Sequence, residues 1–99
     1  MKVCKDEEVA EGQVKVVSTR YGRVGLIRLN GEVCAFEDVC THDDGPLGDG
    51  EIDGEEIICP RHGARFNMRT GAATKMPATE GIETYPVTIE NGEVTLDMD

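Results

Sequence analysis

The segment from residue 40 to residue 62 reads CTHDDGPLGDGEIDGEEIICPRH, and it contains both histidines of the 99-residue chain. Each histidine closely follows a cysteine: His42 lies two residues after Cys40, and His62 lies three residues after Cys59. Sixteen residues separate the two pairs. Two thiolates and two imidazoles form a ligand set that suits a transition metal. The segment therefore predicts a metal centre on Cys40, His42, Cys59 and His62.

The order of these ligands bears on which metal they hold. Zinc modules usually present a pair of cysteines and then a pair of histidines, whereas here each short segment supplies one of each. A dinuclear cluster accounts for the mixture, because two similar loops can each give a thiolate to one iron and an imidazole to the other. A single Cys2His2 zinc ion remains the alternative.

The ligand pattern and its surroundings resemble the cluster motif of Rieske proteins. The similar features are Cys-Thr-His, the 16-residue spacer and Cys-Pro-Arg-His-Gly, with Gly45-Pro46-Leu47, Phe66 and Arg69-Thr70-Gly71 beside them. The resemblance runs from about Gly12 to Leu96, and it is strongest to small soluble Rieske-type ferredoxins of aromatic-ring-hydroxylating dioxygenase systems. It implies one [2Fe–2S] cluster on Cys40, His42, Cys59 and His62, and no catalytic residues.

The sequence departs from the membrane-bound Rieske branch at four positions. That branch has two further cysteines, joined by a disulfide, at positions that match Gly45 and Arg61. It also has a serine and a tyrosine, which donate hydrogen bonds toward the cluster, where Ala64 and Phe66 stand here. Fewer donors leave the added electron less stabilised. The resemblance therefore implies a potential near the bottom of the Rieske range of about −150 to +300 mV.

Outside the ligand segments, the chain is patterned for β-structure. Turn signals occur at Asn30-Gly31, Asp53-Gly54 and Asn91-Gly92, each between runs suited to strands. The first and last turns predict these opposite pairs: Ile27 and Cys34, Leu26 and Ala35, Ile89 and Val94, Val87 and Leu96. The middle turn predicts a hairpin of residues 51–52 with residues 55–58. Further strands are expected over residues 13–18 and 82–85.

These elements predict an all-β fold, a small antiparallel Rieske-like β-barrel or sandwich with an inserted cluster-binding subdomain. We expect a single domain over residues 1–99, with the subdomain at about residues 38–78. No run has a sustained helical period, so helix content should be low. The resemblance also implies that residues 76–78 form a third loop over the cluster.

Two further cysteines lie outside the motif. Cys34 falls in the middle of a predicted strand and is expected to be a small buried apolar residue. Cys4 lies near a terminus that we expect to be frayed. Neither has a histidine at the motif spacing, so neither is expected to be a ligand.

The charge balance narrows the class of partner. The chain has 10 Lys and Arg against 20 Asp and Glu, which gives a net charge of −10 and makes nucleic acid an unsuitable partner. No stretch approaches the ~20 apolar residues of a membrane span, and residues 1–8 do not resemble a secretory signal, so a cytoplasmic protein is expected. Residues 43–56 carry seven acids and no base, and residues 57–79 carry four bases and no acid. These blocks form either two solvated surfaces or one dipolar docking face.

The function expected from these features is that of a monomeric one-electron carrier. It would accept electrons from a flavin-dependent ferredoxin reductase and pass them to a terminal oxygenase, meeting each partner transiently. Two alternatives are a small Rieske-like subunit of a larger reductase, such as assimilatory nitrite reductase, and a zinc-binding interaction domain.

Overall fold

The computed structural model describes residues 1–97, and the regular secondary structure of these residues is almost entirely β-strand. In chain order its strands are β1 (Lys2–Lys5), β2 (Lys15–Thr19), β3 (Gly22–Leu29), β4 (Glu32–Glu37), β5 (Ile52–Asp53), β6 (Glu56–Ile58), β7 (Arg65–Asn67), β8 (Ala73–Lys75), β9 (Thr84–Tyr85), β10 (Val87–Glu90) and β11 (Glu93–Leu96). A 3-10 turn covers Asp6–Glu8, and no helix of the described residues is long and apolar enough to cross a membrane. The predicted all-β, antiparallel fold is confirmed.

The strands form three antiparallel sheets, of which the middle one packs on both others. Their strand orders are β1-β11-β10, β2-β3-β4-β9 and β5-β6-β7-β8. Strand β3 shows the packing most clearly, because both of its faces are buried. Val24 and Leu26 join an apolar cluster with residues of the first sheet, and Ile27 and Leu29 join a cluster with residues of the third. Alternate residues of one strand thus serve two cores.

Two hairpins form as the sequence predicts. Asn30 and Gly31 have φ angles of 51° and 85°, and Asn91 and Gly92 have 51° and 76°, as a type I′ turn requires. All four predicted pairs are present: Ile27 with Cys34, Leu26 with Ala35, Ile89 with Val94, and Val87 with Leu96. The prediction for these hairpins is confirmed at the level of register.

The middle hairpin turns one residue later than the sequence predicts. Asp53 is the last residue of β5 and pairs with Glu56, so the turn residues are Gly54 and Glu55. Gly54 has a φ of 62° and lies first in the turn, which is the position that glycine takes in a type II′ turn. This register places the half-buried Ile52 opposite the fully buried Ile57. Turning at Asp53-Gly54 would instead have placed Ile52 opposite a charged glutamate.

The N-terminus is not frayed, contrary to our expectation. Strand β1 pairs with β11, with Cys4 opposite Val94, and the backbone N–H of Asp6 donates to Gly92 O at 2.8 Å. Cys4 is half-buried and packs against the apolar cluster between the first two sheets. The expected strands at residues 13–18 and 82–85 are present over shorter or shifted ranges, as β2 and β9.

Candidate metal centre

Two loops carry the predicted ligands, and each begins at a cysteine. The first ligand loop (residues 40–45) follows β4, and the second ligand loop (residues 59–64) joins β6 to β7. In each, the cysteine N–H donates to the carbonyl five residues on, and the residue four positions after the cysteine donates back to the cysteine carbonyl. These bonds are Cys40 N to Gly45 O (2.7 Å), Asp44 N to Cys40 O (2.7 Å), Cys59 N to Ala64 O (2.7 Å) and Gly63 N to Cys59 O (3.0 Å). The loops therefore share one backbone arrangement.

This arrangement needs a left-handed residue at the fourth position after each cysteine. Asp44 takes that position in the first loop with φ 60°, and Gly63 takes it in the second with φ 74°. Glycine adopts this conformation without strain, and aspartate adopts it more readily than most residues. The two histidines occupy different positions within equivalent loops, since one spacing is Cys-x-His and the other is Cys-x-x-His.

The two motif cysteines lie in the interior, unpaired by any disulfide. Cys40 and Cys59 are 0% and 1% exposed, and burial raises the pKa of the Cys40 thiol. Their sulfur atoms and a carboxylate oxygen of Asp43 lie within 4.8 Å of one another. Soft donors are thus brought together in a water-poor position, which is a setting suited to a bound metal.

The histidines lie together at the surface. The rings of His42 and His62 are edge to face, with centroids 5.1 Å apart, and the His62 side chain is 51% exposed. Within residues 1–97, neither histidine has a ring nitrogen in the 4.8 Å group that holds both sulfur atoms. The donors thus divide into an inner thiol pair and an outer imidazole pair. That division fits a dinuclear centre better than a single tetrahedral ion, whose four donors must converge on one point.

A buried carboxylate anchors the start of the first ligand loop. Asp38 is 2% exposed, and its Oδ1 accepts hydrogen bonds from the backbone N–H groups of Leu47 and Gly48 at 2.8 and 2.7 Å. Its Oδ2 accepts a further bond from Arg23 Nε at 3.2 Å. Because Asp38 comes two residues before Cys40, these bonds close the chain into a loop around the first cysteine and histidine.

An arginine joins the two ligand loops. Arg61 donates from Nε to Asp43 Oδ2 at 2.5 Å, from Nη2 to Asp43 Oδ1 at 3.1 Å, and from Nη1 to the Pro46 carbonyl at 2.8 Å. The guanidinium, followed by the Gly45 N–H, holds the pKa of the Asp43 carboxyl well below its usual range. The hydrogen bonds that Arg61 donates to Asp43 in turn raise the pKa of the Arg61 guanidinium.

A residue two positions after the expected third loop (residues 76–78) contacts the first ligand loop. The Thr41 hydroxyl donates to the Glu80 carbonyl at 2.6 Å. Ala78 is 5% exposed and belongs to the apolar cluster that also contains Cys40 and Cys59. Ala64 and Phe66, the positions without a hydroxyl, are fully buried in that same cluster.

The two charge blocks do not form separate surfaces. Arg61, Arg65 and Arg69 all pair with acids of the acidic block: Arg61 with Asp43, Arg65 with Asp53 and Glu56, and Arg69 with Glu55. Both alternatives treated the blocks as separate charges, whereas folding pairs three of the four bases with acids. In the described part of the chain, the exposed acids Asp44, Asp49 and Glu51 make no ion pair, so an acidic excess remains beside the ligand loops.

Two acids near the ligands have a role that the sequence analysis missed. Asp38 and Asp43 were counted only as charges, yet one anchors the first ligand loop and the other receives Arg61. The one available signal for Asp38 was its place directly after the strand that leads to Cys40. Nothing in the spacing distinguishes Asp43 from its neighbour Asp44.

Comparison with known proteins assigns the family. The model of the Rieske [2Fe–2S] domain matches residues 1–86. The ferredoxin component of the naphthalene 1,2-dioxygenase system of Pseudomonas putida is 40% identical over 91 residues, which are 92% of this chain and 88% of that protein. The match is to an iron–sulfur family, and it does not support the zinc alternative.

Solved structures give the same result. The ferredoxin of Sphingomonas yanoikuyae B1 superposes with a TM-score of 0.94 at 37% identity, covering 100% of this chain and 98% of that one. A chain from a complex of reduced oxygenase and oxidized ferredoxin in carbazole 1,9a-dioxygenase superposes with a TM-score of 0.88 at 33% identity. The superposition covers 97% of this chain and 90% of that one. With its sequence, its fold and its paired ligand loops in agreement, the chain belongs to the Rieske [2Fe–2S] domain family.

Proposed function

We propose that the chain is a one-electron carrier with one [2Fe–2S] cluster, held by Cys40, His42, Cys59 and His62. The observation that carries this proposal is the pair of equivalent loops with buried thiols and exposed imidazoles. Residues 38–78 would form the cluster-binding subdomain, because the third sheet and both ligand loops fall within that range.

When bound, the cluster supplies the one-electron redox chemistry, and the chain's own residues set its surroundings. Cys40 and Cys59 lie where water is excluded, whereas His42 and His62 lie at the surface that a partner protein can reach. Imidazole in place of two thiolates makes the site less negative and raises its potential above that of four-thiolate clusters. Ala64 and Phe66 offer no hydroxyl donors, which keeps the potential low within the Rieske range.

The relatives indicate the partners. Similar chains are named as ferredoxin components of dioxygenase systems, and one occurs in a complex of reduced oxygenase and oxidized ferredoxin. We therefore propose that this chain is a cytoplasmic, monomeric ferredoxin that carries electrons from a flavin-dependent reductase to a terminal oxygenase. The acidic excess near the ligand loops suits partners with basic docking surfaces.

Metal analysis with matched cysteine variants tests the ligand set. The purified protein should be brown and contain two irons and two acid-labile sulfides per chain. Cys59→Ser should remove the colour and the iron, whereas Cys34→Ser should keep both, because Cys34 lies on β4 outside the ligand loops. A colourless protein that contains one zinc ion, or a brown Cys59→Ser variant with unchanged absorbance, would contradict the proposal.

A further inference from the structure

We propose that Arg61 is a positioning residue, which fixes the two ligand loops relative to one another through a fork on Asp43. The inference rests on the proposed function, since it concerns the orientation of the proposed ligands His42 and His62. Arg61 directly precedes His62, and Asp43 directly follows His42. The bond between them therefore joins the immediate neighbours of the two imidazoles.

The contacts of Arg61 have the geometry of a clamp. Two of its nitrogens bond the two oxygens of Asp43 at 2.5 and 3.1 Å, and its third nitrogen bonds the Pro46 carbonyl at 2.8 Å. All three bonds run from the second ligand loop to the first ligand loop or to the residue after it. A planar fork that meets a carboxylate with two bonds fixes direction as well as distance, which a lysine ammonium cannot do.

The first ligand loop is shaped to receive this guanidinium. A β-carbon on Gly45 would lie only 2.6 Å from the central carbon of the Arg61 guanidinium, so glycine leaves the space that the arginine fills. The Asp43 side chain is also held from its own loop, because Oδ1 accepts the Gly45 N–H at 2.9 Å. The carboxylate is thus held from its own loop as well as by the arginine.

Few other contacts could hold the two ligand loops together. Among residues 1–97, the hydrogen bonds between nitrogen and oxygen atoms that join the two ligand loops all come from Arg61. The motif sulfur atoms also lie within 4.8 Å of each other across the loops, and His62 Nε2 lies 3.7 Å from Asp43 Oδ2. The other hydrogen bonds of the loops are internal to each loop or lead to other parts of the chain. Loss of the clamp should therefore let the loops separate, with the imidazole pair as the first part to move.

Cluster release provides the first test. The oxidised protein is mixed with an iron chelator, and the loss of visible absorbance is followed. Arg61→Gln should release the cluster about three- to fivefold faster than the wild type, which is the upper range for a partly exposed ion pair. Arg65→Gln is the matched control, because it removes the same charge from a neighbouring arginine whose partners Asp53 and Glu56 lie outside the ligand loops. Arg61→Lys should fall between Arg61→Gln and the wild type.

The electron paramagnetic resonance spectrum of the reduced protein separates positioning from general loss of stability. Its g-values report ligand geometry at the cluster, so Arg61→Gln and Asp43→Asn should shift them in the same direction, and Arg65→Gln should not. The double variant Asp43→Asn, Arg61→Gln should release its cluster no faster than Arg61→Gln alone, because both changes break one interaction. If Arg61→Gln fails to fold, Asp43→Asn decides: faster release supports the clamp and a wild-type rate overturns it.

The outcomes separate this inference from the proposed function. A wild type that contains the cluster, with Arg61→Gln and Arg65→Gln alike in release rate and spectrum, overturns the clamp and leaves the proposed function standing. Additive effects in the double variant also overturn it. A wild type that purifies without the cluster overturns the proposed function, and the clamp with it.

Discussion

Ala64 shows how a single residue can set the redox property of this protein. It is fully buried in the apolar cluster that contains both motif cysteines, and its carbonyl accepts the Cys59 N–H. Ala64→Ser would place a hydroxyl donor there, which should stabilise the reduced state. We expect the midpoint potential to rise by about 40 mV, which corresponds to about 1 kcal/mol for a one-electron couple.

Protein-film voltammetry would measure this shift, and Ala35→Ser would control for the burial of a hydroxyl. Ala35 is 2% exposed but belongs to the other apolar cluster, away from the motif cysteines. Both variants should lose some stability, and the potential should change in Ala64→Ser alone. Equal potentials for the two variants would show that position 64 does not act on the cluster. A wild-type midpoint above zero would contradict the low potential itself.

The sequence was most informative about individual residues of the metal centre. The chain has only two histidines, and each follows a cysteine within three residues. That pattern is enough to predict two similar ligand loops. Asp43 and Asp38 could not be assigned in the same way. Their roles depend on backbone N–H groups and on an arginine that only the folded chain brings near them.

At the level of elements, the first ligand loop depends on the buried Asp38 carboxylate. Asp38→Ala would leave the N–H groups of Leu47 and Gly48 without their acceptor, and it should lower the free energy of unfolding by about 2–4 kcal/mol. Asp38→Asn keeps a carbonyl oxygen for these two donors and should cost less, about 1 kcal/mol. Urea unfolding of the two variants would measure the difference. If both variants lost the same free energy of unfolding, the hydrogen bonds from Leu47 and Gly48 would not be what makes Asp38 stabilising.

Gly71 offers a second test at this level, with Gly92 as its matched control. Both have a positive φ, 83° and 76°, so alanine at either position pays a similar conformational cost of about 1 kcal/mol. Nothing lies near a β-carbon at Gly92, whereas one at Gly71 would overlap the carbonyl oxygen of Ile82. Gly71→Ala should therefore lose at least about 2 kcal/mol more than Gly92→Ala in thermal or urea unfolding. Similar losses would show that the segment around Ile82 moves aside freely.

The hairpins show what a sequence can and cannot specify about an element. Asn-Gly favours a positive φ at two successive residues, and together with the apolar pattern of the flanking strands it sets the register on both sides of Asn30-Gly31 and Asn91-Gly92. Asp53-Gly54 is also a favoured pair for a type I′ turn, yet here Gly54 opens a turn with Glu55 instead. The pairing of Ile52 with Ile57 in the core then decides the register, and that preference comes from packing rather than from the turn.

At the level of the whole molecule, charge should govern how the protein meets its partners. The net charge is −10, and three of the four bases in residues 57–79 are already paired with acids. Reduction by a flavin-dependent reductase with a basic docking surface should therefore slow severalfold when the ionic strength rises from about 0.05 to 0.5 M, because salt screens the attraction.

Reduction by dithionite is a control in which salt should have the opposite effect on the rate. Dithionite reagents are anionic, so the same rise in salt should speed their reaction with this acidic protein. Stopped-flow absorbance would follow both reactions. A reductase rate that does not change with salt would show that the acidic surface is merely solvated and does not steer association.

The whole fold was largely predictable from the sequence. Short strands with alternating apolar and polar residues, joined by Asn-Gly turns, are compatible with few arrangements other than small antiparallel sheets. What the sequence could not supply was the relation between its charge blocks. Seven acids followed by four bases are compatible with two solvated surfaces or with one dipolar face, but the turn at Gly54 and the ligand loops bring the blocks together, so that arginines face acids.

Two thiolates and two imidazoles of this chain should hold one cluster that accepts one electron. Pulsed electron paramagnetic resonance of the dithionite-reduced protein would detect the imidazole ligands themselves, because nitrogen ligands give their own nuclear couplings. We expect a spin of one-half per chain after one electron, with couplings from two coordinated histidine nitrogens that fall to one in His62→Cys. A reduced protein without that signal, or with a cluster that shows no nitrogen coupling, would contradict it.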